Sequence, residues 1–425
     1  MSTPFPPPGF APTTSALEGI EVYAPLPPEQ RPAEQAEVVT FKCPNCGADR
    51  AYSAADGGLR CTFCGYHEVR EIEIVGRQAE EYEFTLEAVQ SAAHGWGMER
   101  LEIQCQNCGA ATTLPPDELT TFCPFCHSAK LVQRQAPQDV LRPRFLIPLT
   151  VTPDGCHGFT REWLGSSWMT PRELKAEAVI RNFTPLYLPY WTFDAITNAS
   201  WKAEVGRTKT VGSGKNRRTT TVWRWESGHV NLQHDDVFIS GTTKISEILL
   251  QRATNYRADG LVPYEASFLA GIKAHAYERD LNTAWELGRS TIRERTKQAC
   301  MSQASTRKIR NFSMQVDFAD EKWRYVLVPV YISAYTYEDQ RYQVLVNGQT
   351  GTVAGQRPVA WPKVSAVMAL TFIPGLLVLC LALFAGAVVS GDAFEAAGVF
   401  ALMLLGAAFT FTVNTVNKAL SFDDA

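Results

Sequence analysis

The sequence lacks the local motifs by which most enzyme classes are recognised. It contains no H-E-x-x-H, no G-x-S-x-G, no dinucleotide fingerprint and no complete phosphate loop. It also lacks an excess of positive charge, since 40 Lys and Arg stand against 44 Asp and Glu, for a net charge of -4. These absences argue against a general nucleic-acid-binding surface. We therefore expect a protein that is not an enzyme.

One segment resembles part of a phosphate loop. Gly212-Ser-Gly-Lys215 lies in a polar stretch, Thr208 to Arg218, that is predicted to be the loop at the tip of a long β-hairpin. The spacing G-x4-G-K-[ST] is absent, and no strand-to-helix context surrounds the segment, so we interpret it as a solvated turn. The tip is rich in cations, and its candidate contacts for anionic lipid are Arg207, Lys209, Lys215, Arg217 and Arg218.

Carboxylates near aromatic strands offer the nearest approach to acid–base chemistry. Asp194, Asp235 and Asp236 are the residues concerned. Neighbouring residues on a strand point to opposite faces, so Asp235 and Asp236 are predicted to be turn or rim residues rather than a catalytic pair.

The cysteines are the most regular feature of the chain. Eight of the 11 form two quartets with the same spacing, C-x2-C-x14-C-x2-C, so this region is an internal repeat. Zn²⁺ prefers four ligands in a tetrahedron, and each C-x-x-C turn supplies two thiolates. Gly47, Gly65 and Gly109 each follow a pair, where a sharp turn with positive φ is expected. The predicted ligands of two structural Zn²⁺ ions, in two tandem zinc ribbons, are Cys43, Cys46, Cys61, Cys64, Cys105, Cys108, Cys123 and Cys126.

Other interpretations of the quartets are weaker. A disulfide framework requires an oxidising compartment, and no secretory signal opens the chain. A thioredoxin-like redox pair requires a βαβ setting rather than short hairpins in tandem. Zinc ligation across the two repeats, in a cross-braced arrangement, would close a longer loop and stays open as an alternative.

Four further residues of this chemistry stand outside the quartets. Cys156, Cys300 and Cys380 are isolated and are interpreted as packing residues. His127 follows Cys126 where the other three pairs have Gly. Because the quartet is already complete, we interpret His127 as a surface residue and not as a fifth ligand.

Composition divides the chain into seven segments. Residues 1–37 are proline-rich and are predicted to be disordered. Apolar residues recur at helical spacing in the acidic stretch Ala79 to Gln90, which predicts a helical spacer. The predicted boundaries are 1–37 for the tail, 38–70 for the first ribbon, 71–100 for the spacer, 101–132 for the second ribbon, 133–144 for a linker, 145–358 for an α+β domain and 359–425 for a membrane hairpin.

Residues 145–358 mix strand and helix signals. The stretches 186–194 and 325–333 favour strands, and Asn347-Gly348 predicts a type I′ turn in a hairpin. One face of a predicted helix is expected to pack on the sheet through Leu281, Trp285, Gly288 and Ile292. Strands and helices are partly segregated, so the predicted fold class is α+β.

Two long apolar runs lie near the C-terminus. Residues 364–389 and 396–416 are each long enough to cross a bilayer, and a short acidic connection between them predicts a transmembrane hairpin. Arg357 and Lys363 precede the first run and Lys418 follows the second, whereas the connection has no Lys or Arg. The positive-inside rule therefore predicts that the body and the C-terminus lie in the cytoplasm, where zinc thiolates stay reduced. The predicted location is the inner cell membrane, crossed twice.

From about residue 40 onwards the sequence resembles bacterial membrane-anchored double-zinc-ribbon proteins of the YdjG type, which often carry names borrowed from a primosomal helicase or from general zinc-ribbon proteins. The resemblance rests on the paired C-x-x-C ribbons, the terminal hairpin and four stretches: Trp168-Met-Thr-Pro-Arg-Glu-Leu174, Pro185-Leu-Tyr-Leu-Pro-Tyr-Trp-Thr-Phe-Asp194, Phe268-Leu-Ala-Gly271 and Val344-Leu-Val-Asn-Gly-Gln-Thr-Gly351.

This resemblance implies an adaptor in envelope stress or membrane maintenance, which gathers a PspA-like coiled-coil protein and a flotillin-like (SPFH) protein at the inner face of the membrane. The alternative is a membrane-tethered zinc ribbon associated with nucleic acid in replication or transcription, by analogy with the use of ribbons in that setting. Few basic residues in the ribbons argue against this alternative, since only Arg50 and Arg60 lie in the first quartet region and none lies inside the second quartet.

Overall fold

The computed structural model describes residues 10–13, 22–25, 41–69, 73–85, 96, 100–114, 122–126, 128–136, 140–176, 183–211, 218–338, 340–388 and 392–423. Its strands are β1 Phe10–Thr13, β2 Val22–Pro25, β3 Arg50–Ser53, β4 Gly58–Cys61, β5 His67–Val69, β6 Tyr82–Glu83, β7 Leu101–Cys105, β8 Ala111–Leu114, β9 Leu131–Gln135, β10 Phe145–Leu146, β11 Thr184–Val211, β12 Arg218–Ser240, β13 Val262–Pro263, β14 Lys273–His275, β15 Ile309–Tyr337, β16 Gln340–Asn347 and β17 Val353–Gly355. Its helices are α1 Pro153–Gly165, α2 Arg172–Ala176, α3 Glu247–Ala253, α4 Leu281–Gln303, α5 Trp361–Val388 and α6 Asp392–Asp423. The predicted α+β class is confirmed.

Three long antiparallel strands form the centre of a 12-stranded sheet. β11 lies between β15, with which it pairs from Thr184 to Val205, and β12, with which it pairs from Tyr190 to Val211. On the edge of β11 away from β15, two strands pair in succession. β14 pairs at residues 186–187, and β12 pairs from Tyr190 onwards. Pro189 lies where the partner changes, a position at which its missing N–H leaves no gap in the ladder.

The distal parts of these strands project as an arm, which comprises residues 199–211, 218–230 and 309–316. One face of the arm is covered by α4, and a small apolar cluster there includes Trp201, Val230 and Cys300. The predicted apolar face of α4 is confirmed, since Leu281, Trp285, Gly288 and Ile292 are all buried. Gly288 permits the close approach of α4 to β11, because a Cβ there would lie 2.9 Å from Cδ2 of Phe193.

The second ribbon is part of the main sheet. β8 pairs with β14 of the body through Thr113 and Ala274, and β7 joins β8 to β9. β9 extends to Gln135, so the first residues of the predicted linker 133–144 are the third strand of this ribbon. The first ribbon differs, because β3, β4 and β5 form a separate three-stranded sheet.

Two predicted local structures are wrong where the structure describes them, and a third has different bounds. The acidic stretch is not a helix at its start, since Tyr82–Glu83 forms a strand against Lys322 and Trp323, and residues 86–90 lie outside the described residues. The predicted long hairpin is confirmed, but its loop does not begin at Thr208, because β11 and β12 stay paired as far as Val211 and Arg218; residues 212–217 lie outside the described range. Within the tail predicted to be disordered, β1 pairs with β2.

Asn347-Gly348 lies in a hairpin, as predicted, but does not form a type I′ turn. The chain continues for five residues beyond Asn347 before Val353 pairs with Val346, and the left-handed residue of the loop is Gly351, with φ 73°. The side chain of Asn347 accepts hydrogen bonds from the backbone of Gln349 and Thr350 and donates to Ala253 O at 2.9 Å. This buried amide therefore stabilises a wider loop.

The C-terminal helices α5 and α6 pack against each other and extend from the body. Both are long and apolar enough to cross a membrane, with mean hydropathy of 2.6 and 1.9 over their most apolar parts. Only 11% and 17% of the residues in those parts are buried in the described chain, and Leu381 and Phe384 face outward. A buried pair of core helices would show the opposite pattern.

Candidate metal centres and a buried ion-pair cluster

The first cysteine quartet converges to a single point in the first ribbon. The Sγ atoms of Cys43 and Cys64 are 3.6 Å apart, and those of Cys46 and Cys61 are 3.5 Å apart. Each cysteine pair is held by a tight turn, in which Gly47 N donates to Cys43 O and Gly65 N donates to Cys61 O. Both glycines have positive φ, 74° and 76°, as the sequence predicts.

The second quartet repeats this geometry. Cys105 Sγ lies 3.5 Å from Cys126 Sγ, and Cys108 Sγ lies 3.7 Å from Cys123 Sγ. Gly109 has φ 71° and donates its N–H to Cys105 O at 2.8 Å. His127 lies outside the described residues.

The donor set of each quartet fits a tetrahedral Zn²⁺ ion. With Zn–S bonds of about 2.3 Å, sulfur atoms at tetrahedral corners lie about 3.8 Å apart, close to the separations in both ribbons. All four sulfur atoms of a quartet lie within 4.8 Å of one another. The sequence left a cross-braced pairing open, and the structure corrects this, because each quartet is built within one ribbon. Four thiolates complete the coordination, which is the pattern of a structural site.

The body holds the second ribbon firmly. Arg100, which is 1% exposed, donates from Nη2 to Thr113 O and to Ile272 O, both at 3.1 Å, so it joins the ribbon to the body. Phe125, between the last two cysteines of the quartet, packs on the buried ring of His275 with the ring centroids 5.0 Å apart. The backbone pairing of β8 with β14 adds to these contacts.

The body holds the first ribbon through a smaller contact. Tyr52 donates its N–H to Ala270 O at 3.0 Å, and its ring lies 5.3 Å from that of Phe268. Cavities of about 210 Å³ and about 560 Å³ lie beside this contact, each lined in part by Tyr52. The first ribbon is thus less closely packed on the body than the second.

A second cluster of charged groups surrounds Arg324, which is 1% exposed. Its Nη2 donates to Glu81 and to Asp236 Oδ1 (3.0 Å), and lies 3.7 Å from Asp194 Oδ2. Asp235 adjoins the cluster and pairs with Arg77 at 3.3 Å. Sequence reasoning missed Glu81 and Arg324, because 243 residues separate them and no local pattern joins them.

The structure corrects the prediction that Asp235 and Asp236 point to opposite faces. Asp236 has φ 51°, and the pairing of β11 with β12 shifts register between Phe193 and Ala195. This bulge interrupts the alternation of side chains, so Asp194, Asp235 and Asp236 all lie near Arg324. Asp194 Oδ1 accepts the backbone N–H of Asp236 at 2.9 Å, which stabilises the bulge.

Burial raises the pKa of Asp194 and of Asp236 to about 6. Oxygen atoms of Glu81, Asp194 and Asp235 lie within 4.8 Å of one another, as metal ligands do. However, the Arg324 guanidinium already pairs with Glu81 and Asp194, so a positively charged side chain compensates their negative charge. We interpret the cluster as an ion-pair network that joins β12, β15 and the stretch at Glu81.

The predicted lipid contacts lie partly within the arm. Arg207 and Lys209 are exposed on β11 and Arg218 begins β12, whereas Lys215 and Arg217 lie outside the described residues. Arg207 pairs with Glu226 at 3.2 Å. Sequence reasoning missed two aromatic residues of the arm: Lys202 lies over the ring of Trp225, and Arg310 over that of Trp223.

The isolated cysteines divide into two groups. Cys156 and Cys300 are fully buried, which confirms their interpretation as packing residues. Cys380 is exposed on α5, so that interpretation is wrong for this residue within the described chain.

Comparison with known proteins gives one relative and no fold match. The chain is 26% identical over 330 residues to "Uncharacterized protein YdjG" of Bacillus subtilis (strain 168), which covers 77% of this chain and 93% of that protein. The match supports the resemblance to YdjG-like proteins and carries no function. No family model matches the chain, and no solved structure matches it.

Proposed function

We propose that this protein is a membrane-anchored zinc-ribbon adaptor, which holds partner proteins at the inner face of the cell membrane. The observation that carries the proposal is the combination of two complete thiolate quartets with a pair of outward-facing apolar helices. A complete tetrahedral quartet leaves no position for substrate or water, so its zinc stabilises a fold. The ribbons and the sheet are then protein-binding surfaces, and the helices determine the location.

The orientation follows from the cations that flank the helices. Arg357 and Lys363 lie before the apolar part of α5 and Lys418 lies near the end of α6, which favours the cytoplasm for both ends. The proposed partners, a PspA-like coiled-coil protein and a flotillin-like protein, and the proposed role in envelope stress follow from the resemblance stated above.

Removal of residues 360–425 tests the anchor. After a high-salt wash, which screens electrostatic contact with lipid, we expect the truncated chain in the soluble fraction, and residues 360–425 fused to a soluble reporter in the membrane fraction. A truncated chain that still sediments with membranes, while the reporter fusion stays soluble, would contradict the anchor.

Affinity capture of the intact protein from solubilised membranes tests the adaptor role. We expect a PspA-like or flotillin-like protein without nucleic acid. Recovery of nucleic acid or a polymerase in their place would favour the alternative role in replication or transcription.

The arm gives the proposal a second contact with the membrane. Cations outnumber acidic residues in the described part of the arm. Its two acidic residues, Glu204 and Glu226, pair with Arg310 and Arg207. The exposed cations are Lys202, Arg207, Lys209, Arg218, Arg224 and Arg310. Each cation near anionic lipid contributes about 1 kcal/mol. We propose that the arm lies on anionic headgroups.

This contact restricts the orientation of the body. Tyr335, near one end of β15, bonds to Gln356 just before α5, whereas Ile309 lies at the other end, on the order of 80 Å along the strand. The long strands must therefore lie along the bilayer surface. The test compares the body without residues 360–425 with its R207Q/R218Q variant by flotation with phosphatidylglycerol vesicles. The variant should bind these vesicles several-fold more weakly. Equal flotation of the truncated body and its variant would contradict the contact. Binding of the truncated body to phosphatidylcholine vesicles as strongly as to phosphatidylglycerol vesicles would also contradict it.

A further inference from the structure

Equivalent residues of the two ribbons differ sharply in exposure. Cys46 and Cys64 of the first quartet are exposed, whereas their counterparts in the repeat, Cys108 and Cys126, are partly covered. The phenylalanine before the last cysteine shows the same contrast, since Phe63 is 82% exposed and Phe125 is 7% exposed. The same metal-binding unit is therefore open in one ribbon and shielded in the other.

The body causes this difference. In the second ribbon, a Cβ at Gly109 would lie 3.6 Å from Lys244 Nζ, and Phe125 packs on His275. In the first ribbon, a Cβ at Gly47 or Gly65 would meet no atom of the described residues within 4 Å. Small oxidants therefore reach the sulfur atoms of the first quartet more easily than those of the second.

We propose that the first ribbon is an oxidant-sensitive modification site, at which peroxide oxidises Cys46 or Cys64 and thereby releases Zn²⁺. The inference rests on the proposed occupancy of both quartets by zinc. Zinc-bound thiolates stay nucleophilic, and exposure determines which of them reacts.

Each exposed cysteine lies close to a buried cysteine of the same quartet. Cys46 lies 3.5 Å from Cys61, and Cys64 lies 3.6 Å from Cys43. The exposed thiolate attacks one oxygen of hydrogen peroxide, which gives a sulfenic acid and hydroxide. The buried thiolate then attacks that sulfur, a disulfide forms and the second hydroxide leaves. Two thiolates lose two electrons and one peroxide gains them. A Zn²⁺ ion bound to this quartet would then have only two of its four thiolate ligands and would no longer be held.

The structural effect is confined to the first ribbon. Its three-stranded sheet is separate from the main sheet and contacts the body near Tyr52, so its loss leaves the main sheet intact. The second ribbon shares its strands with the body and resists the same treatment. Reduction by a thiol in the presence of Zn²⁺ reverses the change.

The test uses the full chain in detergent micelles, with zinc content measured first and hydrogen peroxide added in steps. A chromogenic chelator reports zinc release, and peptide mass spectrometry reports disulfides. We expect one zinc ion per chain to leave at least tenfold faster than the other, together with a disulfide among residues 43–64. Simultaneous release of both ions, or first release from the second quartet, would overturn the inference.

Matched variants locate the fast phase. C64S should bind one zinc ion and lose the fast phase, whereas C126S should bind one and retain it. The reverse pattern contradicts the inference. Fewer than two zinc ions in the untreated protein would overturn the zinc assignment and the inference together, whereas two ions that both resist peroxide would overturn the inference alone.

Discussion

Arg324 donates a hydrogen bond to Asp236 at 3.0 Å, although their strands are not neighbours in the sheet. Arg324 belongs to β15 and Asp236 to β12, and β11 runs between them. The side chain of Arg324 thus reaches across a strand to the bulge at Asp194. This contact holds together the three long strands at the base of the arm.

Replacement of Arg324 by methionine should destabilise the protein by about 3–5 kcal/mol, because it leaves buried carboxylates without their cation. R77M is the matched control, since the Arg77 side chain is 61% exposed and solvent screens its ion pair, so its loss should be much smaller than that of R324M. Urea unfolding followed by tryptophan fluorescence gives both values. Equal losses in the two variants would show that Arg324 is not the centre of the network.

The raised pKa values of Asp194 and Asp236, about 6, predict a pH dependence. An unfolded aspartate has a pKa near 3.9, so between pH 4 and pH 6 the folded chain holds protons that the unfolded chain has released. Lowering the pH from 7 to 5 therefore stabilises the folded state through these groups. The difference in unfolding free energy between D194N and the parent protein should be more favourable to D194N at pH 7 than at pH 5, by about 1 kcal/mol after allowance for solvent screening.

Glu278 provides the control for this measurement. Although burial opposes it, the His275 ring, whose Nε2 lies 3.7 Å from Glu278 Oε1, and hydrogen bonds from Thr243 hold the pKa of Glu278 at about 2. Its contribution is present above the unfolded pKa and is lost only as the pH falls from about 4 towards 2. The effect of E278Q should thus be constant between pH 5 and pH 7. A D194N effect that is equally flat would contradict the raised pKa.

Features with a local signal in the sequence were predictable. The quartets follow from spacing, and the buried face of α4 follows from the recurrence of Leu281, Trp285, Gly288 and Ile292. The two apolar helices follow from hydropathy. In each case the residues that determine the structure lie within one short repeat or one element.

The features that were missed depend on contacts distant in sequence. The positive φ at Asp236 is stabilised by the acceptance of its N–H by Asp194, and alternation cannot reveal a bulge. Tyr82 pairs with Trp323 as a strand, although its own segment has a helical pattern. Asn347 donates a hydrogen bond to Ala253 O and lies in a wider loop instead of a two-residue turn. Tertiary contacts override local preference at each of these positions.

The two phenylalanines of the repeat should differ in their effect on stability. F125A removes a buried ring from the contact with His275 and should cost about 3 kcal/mol. F63A changes an exposed ring and should stay within about 0.5 kcal/mol. Zinc content should remain unchanged in both, since neither residue is a ligand. Thermal unfolding distinguishes the two, and a large loss in F63A would indicate that Phe63 is covered in the full protein.

Two helical glycines offer a similar contrast. A Cβ at Gly288 would lie 2.9 Å from Phe193, so G288A should separate α4 from β11 and cost about 1–3 kcal/mol. Gly158 is exposed within α1, and a Cβ there meets no described atom within 4 Å. G158A should therefore stabilise the protein by up to about 1 kcal/mol, because alanine is the better helix former. Urea unfolding of both variants tests the packing of α4 on the sheet. Stabilisation by G288A would contradict the close approach of α4 to β11 at Phe193.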